Sequence, residues 1–377
     1  MFELIDEWGP EKVVVVSDSR TGMRGVLVID NTARGIGKGG TRMSPTVSVA
    51  EVARLARVMT WKWAGVDLFH GGAKAGIRYD PSSPDKEAVL RAFVRKLSNE
   101  VPREYVLGLD MGLTERDAAI AQDELGDRGA AVGTPAELGG VPYDELGVTG
   151  YGVAEVADAA ASVIGLPLAG ARVAIQGFGA VGWAAARRFA ELGATVVAVS
   201  TVDGVLHDPA GLDVPRLLEL RSAHGDGLVA AYGGTRLAPG EELLVDAEVL
   251  VPAAVQDVIT EELAGRLKAR LVVEGANLPT TPTAQKVLAE RGVTVVPDFV
   301  ANAGGVVAAG FAMDSRYSAF RPEPDAIFTT ISTKLRTNTE QVLTEATRLG
   351  HTPHHAARVL AQDRVRTAMR LRGRLPT

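Results

Sequence analysis

The stretch that decides the fold is ARVAIQGFGAVGWAAARRFAEL, residues 171 to 192. Residues 171 to 177 form an apolar run of strand type, and the spacing from Ala180 predicts a helix over 180–192. Between them lie Gly177, Phe178, Gly179, Ala180, Val181 and Gly182, a G-x-G-x-x-G. In a chain with 42 glycines that pattern alone is weak. Wedged between a strand and a helix, it has a mechanism. Gly177 permits the tight turn, Gly179 lets backbone approach a pyrophosphate, and Gly182 lets the helix sit close to the strand. The pyrophosphate then meets the free N–H groups of the helix start.

Further strands are expected at 194–200, 247–253, 269–277 and 293–298, most separated by helical stretches. Alternating strands and helices argue for a parallel sheet with helices on its faces, a Rossmann-type unit. The usual ribose-gripping acid falls about 20 residues after the glycines. Asp203 qualifies by count, but its place in TVDG puts it in a turn, leaving neutral Thr201 at the strand end. A neutral strand end does not repel a 2′-phosphate, and no arginine adjoins it in sequence. NAD and NADP both stay open, with a lean toward tolerance of NADP.

Upstream, strands are expected at 13–17, 25–30 and 105–110, and helices at 47–64, 85–98 and 114–124. From Asp325 onward the pattern is helical, broken near Gly350 and Pro353. The expected fold class is α/β with two domains. Residues 1–145, completed by C-terminal helices 326–377, form a substrate-binding and assembly domain, and residues 146–325 the dinucleotide-binding domain.

The 377 residues carry a formal charge of −6, and no run is dense in Lys and Arg, so nucleic acid is not an expected partner. There is no cysteine, which excludes disulfides and thiolate chemistry. The six histidines suggest no metal site. No signal peptide or long apolar run is evident, so a cytoplasmic protein with no membrane contact is expected.

Three stretches each offer a lysine: GKGGTRM (37–43), TWKWA (60–64) and GGAKAGI (71–77). By itself GGAKAGI reads as a lysine on a flexible turn. Together with LGLDMG (107–112), GVTGYGV (147–153), the glycine loop, EGANLPTT (274–281) and NAGGVV (302–307), these stretches form an ordered set. The chain resembles the glutamate/leucine/phenylalanine/valine dehydrogenase family, and the glutamate enzymes most. The resemblance implies reversible oxidative deamination of an L-amino acid, with ammonia and a 2-oxo acid as products and NAD or NADP as hydride acceptor. It implies Lys74 and Asp110 as catalytic residues and Lys62 as the anchor of the α-carboxylate. Asn302 belongs to the substrate pocket, Asn277 lies near the nicotinamide, and Thr149 matches the threonine at the family's domain junction. Lys38, before Gly39 and Gly40, matches the lysine that reads a distal carboxylate, which points to L-glutamate. A homo-oligomer is implied, with a hexamer the first expectation.

The residue types suit that chemistry. A fixed ammonium anchors a carboxylate. Water attacking an iminium carbon needs a base, which a lysine desolvated among other cations can supply. Asp110 can carry the protons of the amine. The glycines around Lys74 are expected to leave room for substrate. Some positions depart from the glutamate pattern. Ala309 stands where a serine contacts the distal carboxylate, TRM (41–43) is of leucine type, and Phe69 replaces a proline, with His70 following as a local substitution. A branched-chain or other apolar amino acid is therefore the alternative substrate, and a non-catalytic dinucleotide-binding regulatory protein the alternative class.

Overall fold

The computed structural model describes residues 2–375. The chain folds into two compact units. One holds the residues up to Pro142, Val306–Glu323 and those from Ala361 on; the other holds Tyr143–Gly305 and Pro324–Leu360.

The first unit is built on a five-stranded sheet, β1 (Lys12–Asp18), β2 (Met23–Asn31), β3 (Gly37–Met43), β4 (Gly71–Ile77) and β5 (Tyr105–Leu109), in the order β1-β2-β4-β3-β5. β2 is antiparallel to β1 and β4, while β3 runs parallel to β4 and β5. Alternation along β2 divides the core. Leu27 and Ile29 pack with Phe93 and Ala118 of helices α2 (Lys86–Lys96) and α3 (Glu115–Leu125). Val26 and Val28 pack with Val52 and Ala56 of helix α1 (Val49–Gly65). Ser48 caps α1 by accepting from the Glu51 N–H at 3.2 Å.

The two lysine stretches GKGGTRM and GGAKAGI are strands, and GGAKAGI is buried at all seven positions. This corrects the turn reading of GGAKAGI. Glycine is a poor strand former, so local propensity gave no sign of it. Packing overrides propensity here: a Cβ on Gly72 would overlap Thr60 of α1, and one on Gly76 would lie 2.7 Å from Val52. Those glycines let α1 lie against the sheet. They do not make the room for substrate expected of them.

The second unit has a seven-stranded sheet in the order β12-β11-β10-β6-β7-β8-β9. β6 (Arg172–Gln176), β7 (Thr195–Thr201), β10 (Val249–Pro252), β11 (Leu271–Val273) and β12 (Thr294–Val296) are parallel; β8 (Gly204–His207) and β9 (Arg236–Leu237) add an antiparallel edge. β6 has β7 on one side and β10 on the other. The sheet changes direction of growth there, which is where α/β sheets open a crevice at their carboxyl ends.

The division of the chain differs from the expected boundaries. Val306–Glu323 belongs with the first unit: Gly310 packs against Leu68, and the Tyr317 hydroxyl donates to Asp127 at 2.9 Å. Pro324–Leu360 belongs with the second, where Arg336 pairs with Asp158 at 2.6 Å and the Ser332 hydroxyl donates to the buried Glu155 at 2.5 Å. Only the last stretch returns to the first unit, where Arg364 donates to the Gly65 carbonyl at 2.7 Å. Helical periodicity reveals that a segment is a helix but not which sheet it covers.

Candidate active site

In the first unit, register assembles the site. Lys38 and Gly40 pair with Val106 and Gly108 of β5. Lys38 also pairs with Gly72, and Thr41 with Ala75, so the same register sets Gly40 opposite Lys74. Lys74, Gly40 and Gly108 thus form a row across three strands. The two glycines leave a lane on the sheet surface. A Cβ on Gly40 would lie 3.1 Å from Lys74 Nζ and 2.8 Å from Asp110 Cβ, and one on Gly108 would overlap Lys38 Nζ. The lane holds two amines and a carboxylate because two side chains are missing from it.

Lys74 Nζ lies 2.5 Å from Asp110 Oδ2, and Arg42 Nε approaches the same oxygen at 3.3 Å. Arg42 is further held by Glu51 of α1 at 2.7 Å. Burial works against ionisation of Asp110, but Lys74, the Met111 N–H and Arg42 outweigh it and hold the carboxyl below its ordinary range.

Lys38 is 3 % exposed. Burial, together with the charges of Lys74 and Arg316, depresses its ammonium from 10.5 to about 7. Trp63 of α1 donates Nε1–H to the Lys38 carbonyl at 3.1 Å, and Tyr105 donates to the Gly39 carbonyl at 2.9 Å, so β3 is pinned from both directions. Lys62 is half-buried on α1, one turn after Met59, whose side chain faces Gly39. Ala309, half-buried, also belongs to this unit.

In the second unit the three glycines of the loop differ in what surrounds them. Gly177 has φ +87°, and a Cβ there would lie 2.9 Å from Ala254. Nothing lies within 4 Å of a Cβ on Gly179. A Cβ on Gly182 would overlap the Gly177 carbonyl. Phe178 is buried at the loop, and Ala180 and Val181 begin the helix Ala180–Glu191. The Gly177 N–H donates to Ser200 Oγ at 3.0 Å, and that hydroxyl donates to the buried Glu242 at 3.2 Å. Neither Ser200 nor Glu242 carried a signal in sequence, because their partners are more than twenty residues away.

Thr201 ends β7 as expected, but its hydroxyl is engaged with backbone on both sides. It donates to the Asp226 carbonyl at 3.0 Å and accepts the Asp203 N–H at 3.2 Å. The arginine missing from the sequence around Thr201 arrives from the helix Val214–His224: Arg221 Nε donates to the Phe178 carbonyl at 3.0 Å.

Asn302 and Asn277 are brought together. Asn302 Nδ2 donates to Asn277 Oδ1 at 3.0 Å and reaches the Gly275 carbonyl at 3.4 Å. Thr149 lies in the first turn of the helix Val148–Val163, and a Cβ on Gly305 would lie 3.1 Å from its hydroxyl. The NAGG and GVTGYGV motifs therefore interlock, Gly304 closing against the Val148 carbonyl. Among the described residues no helix is long and apolar enough to cross a membrane, and no three His, Asp or Glu side chains are grouped to hold a metal.

Two family models match this chain. The glutamate/leucine/phenylalanine/valine dehydrogenase model covers residues 139–373, and the dimerisation-domain model of the same dehydrogenases covers residues 10–126. The chain is 38% identical to a glutamate dehydrogenase of Thermotoga maritima over 93% of its own length and 87% of that protein. It is 38% identical to an NADP-specific glutamate dehydrogenase of Saccharolobus shibatae, over 79% of this chain and 74% of that one. It is 39% identical to an NAD-specific glutamate dehydrogenase of Halobacterium salinarum, over 74% and 66%. Among solved structures, the hetero-hexameric glutamate dehydrogenase of Thermus thermophilus in a leucine-bound form superposes with a TM-score of 0.85 at 33% identity, over 99% of this chain and 93% of that one.

Proposed function

The chain belongs to the glutamate/leucine/phenylalanine/valine dehydrogenase family, and on that premise we propose that this NAD(P)-dependent amino acid dehydrogenase interconverts L-glutamate with 2-oxoglutarate and ammonia. The observation that carries the substrate is Lys38, a fully buried amine beside Lys74 and within reach of the charge of Arg316. A buried cation among cations is costly unless an anion joins it. A substrate with a second carboxylate supplies that anion, and an apolar amino acid does not.

The roles follow from the residues. Lys62 anchors the α-carboxylate. Lys74 takes a proton from the water that attacks the imine carbon. Asp110, 2.5 Å away, accepts and returns protons of the departing amine. Lys74 does most to keep Asp110 ionised, and the Met111 N–H and Arg42 add to it. Gly39 and Gly40 line the lane, and in the second unit the paired amides of Asn302 and Asn277 are set to bind a polar ligand group.

The glycine loop suits a dinucleotide. Gly179 is open on its Cβ side, and the helix Ala180–Glu191 starts there with no side-chain cap, so its first N–H groups face the loop. A bound nicotinamide dinucleotide supplies the hydride acceptor. No acid stands at Thr201, and Arg221 brings a cation to the loop, so a 2′-phosphate is tolerated. The match to a dimerisation domain supports self-association, which we extend to a hexamer in the cytoplasm.

The test is a panel of L-amino acids, each assayed with NAD and with NADP at the reduced-cofactor absorbance band. Glutamate should be turned over best. Turnover of leucine or valine in preference to glutamate would overturn the substrate assignment, and no turnover on any amino acid would overturn the enzyme itself.

A further inference from the structure

Two buried nitrogens of the first unit have nothing to bind. Among the described residues, His70 Nδ1 and Arg316 Nε are buried without a hydrogen-bond partner. Such atoms are rare and usually mark a missing ligand or water. His70 is tied to Lys38 by geometry, and Arg316 by the reach of its charge. His70 immediately precedes β4, whose Gly72 pairs with Lys38. Its ring packs edge-on against Trp63 with centroids 4.8 Å apart, and Trp63 in turn holds the Lys38 carbonyl. Arg316 follows the helix Gly304–Ser315, whose Gly310 packs on Leu68, two residues before His70.

Ala309 lies on that helix, and Arg316 directly follows its last residue, Ser315. Arg316 Nη1 donates to the Met313 carbonyl, which folds the guanidinium back over the last turn of the helix. Arg316 stands over the Tyr317 ring at 5.2 Å and forms no ion pair among the described residues. Its charge reaches both Lys38 and His70. Asp314, exposed on the same helix, is the acid whose charge reaches His70. Burial, with Lys38 and Arg316, holds the imidazole neutral down to about pH 4, so at neutral pH it keeps one N–H to donate and one lone pair.

We propose that Arg316 and His70 complete, with Lys38, the subsite for the substrate's distal carboxylate, in place of the hydroxyl that Ala309 lacks. Arg316 contributes charge and a directed N–H, His70 a neutral N–H, and Lys38 the second cation. This rests on the glutamate reading given above and names the residues that enforce it. His70 directly precedes GGAKAGI and reads from sequence as a local substitution, whereas Arg316 lies outside every lysine stretch.

The test compares Arg316→Gln and His70→Leu with the wild-type enzyme on L-glutamate and on L-norvaline, an amino acid of matching chain length without the distal carboxylate. Arg316→Gln should lower kcat/KM for glutamate by about tenfold or more, mostly through KM, because a hydrogen bond to a charged group is lost. Norvaline turnover should stay within about twofold, which also reports that the variant is folded. His70→Leu should show a smaller loss of the same kind, and Arg316→Lys should recover part of it. Equal losses on both substrates, or no loss on glutamate, would overturn the proposal while leaving the glutamate assignment intact. A wild-type enzyme that uses norvaline but not glutamate would overturn the glutamate assignment, and the subsite with it.

Discussion

The two units use glycine for different ends. In the loop at 177–182 the backbone roles are local: Gly177 turns the chain, with Ala254 closing over it, Gly179 is open, and Gly182 closes against the Gly177 carbonyl. In the lysine sheet the glycines act on distant partners. Gly72 and Gly76 admit helix α1, while Gly40 and Gly108, on other strands, clear the lane for Lys74 and Lys38. Glycine content in a motif therefore does not say which glycine makes the room. In the loop sequence proximity answers that question, and in the sheet only strand register does.

The largest effect expected is from Lys74→Ala. It should reduce turnover by about a thousandfold, in the range lost with a general base, while reduced cofactor still binds. Steady-state rates with a fluorescence titration of NAD(P)H check this, and substantial residual turnover would remove Lys74 from catalysis.

The glycine contrast can be broken by four alanine substitutions. Gly108→Ala should cut kcat/KM for glutamate by roughly tenfold with little change in melting temperature, because the obstacle is the movable end of Lys38. Gly179→Ala should raise KM for the cofactor and leave the fold alone, since its Cβ meets nothing. Gly72→Ala and Gly182→Ala meet backbone and should cost stability, about 1–3 kcal/mol or more, measured by denaturant unfolding. If Gly72→Ala kept its stability and lost substrate instead, the assignment of roles within GGAKAGI would be reversed.

The pH dependence sharpens the same comparison. Lys38 is neutral above about pH 7 in the free enzyme, so binding a second carboxylate must then take up a proton. KM for glutamate should rise with pH above about 7, by up to about tenfold per unit, relative to that for norvaline. A ratio that stays flat from about pH 6 to 9 would show that Lys38 does not face the substrate.

The smallest effect is on stability. The folded-state pKa of Lys38 lies below its unfolded value, so its burial destabilises the fold fully below about pH 7, and the penalty fades toward 10.5. Lys38→Met should therefore raise the melting temperature by several degrees, most of all below about pH 7, while weakening glutamate use. Differential scanning calorimetry at about pH 6 and pH 9 separates this from a uniform packing effect.

Sequence alone determined the α/β class, the strand–loop–helix at 171–192 and the family, and it singled out the lysines and the aspartate as candidates. Each of these depends on residues close together in the chain, or on motifs read in order. Only the tertiary structure decided that GGAKAGI and GKGGTRM are buried strands, that Gly40 and Gly108 shape the lane, and that the Thr201 hydroxyl is taken by Asp203 and Asp226. It also decided where residues 306–360 belong, and it brought Arg42, Arg221, His70 and Arg316 to places their sequence positions do not suggest. The physical reason is the same throughout. Periodicity and turn chemistry act over a few residues, whereas strand register and helix packing join residues tens to hundreds of positions apart, and in this chain the site's charges meet through those long-range contacts.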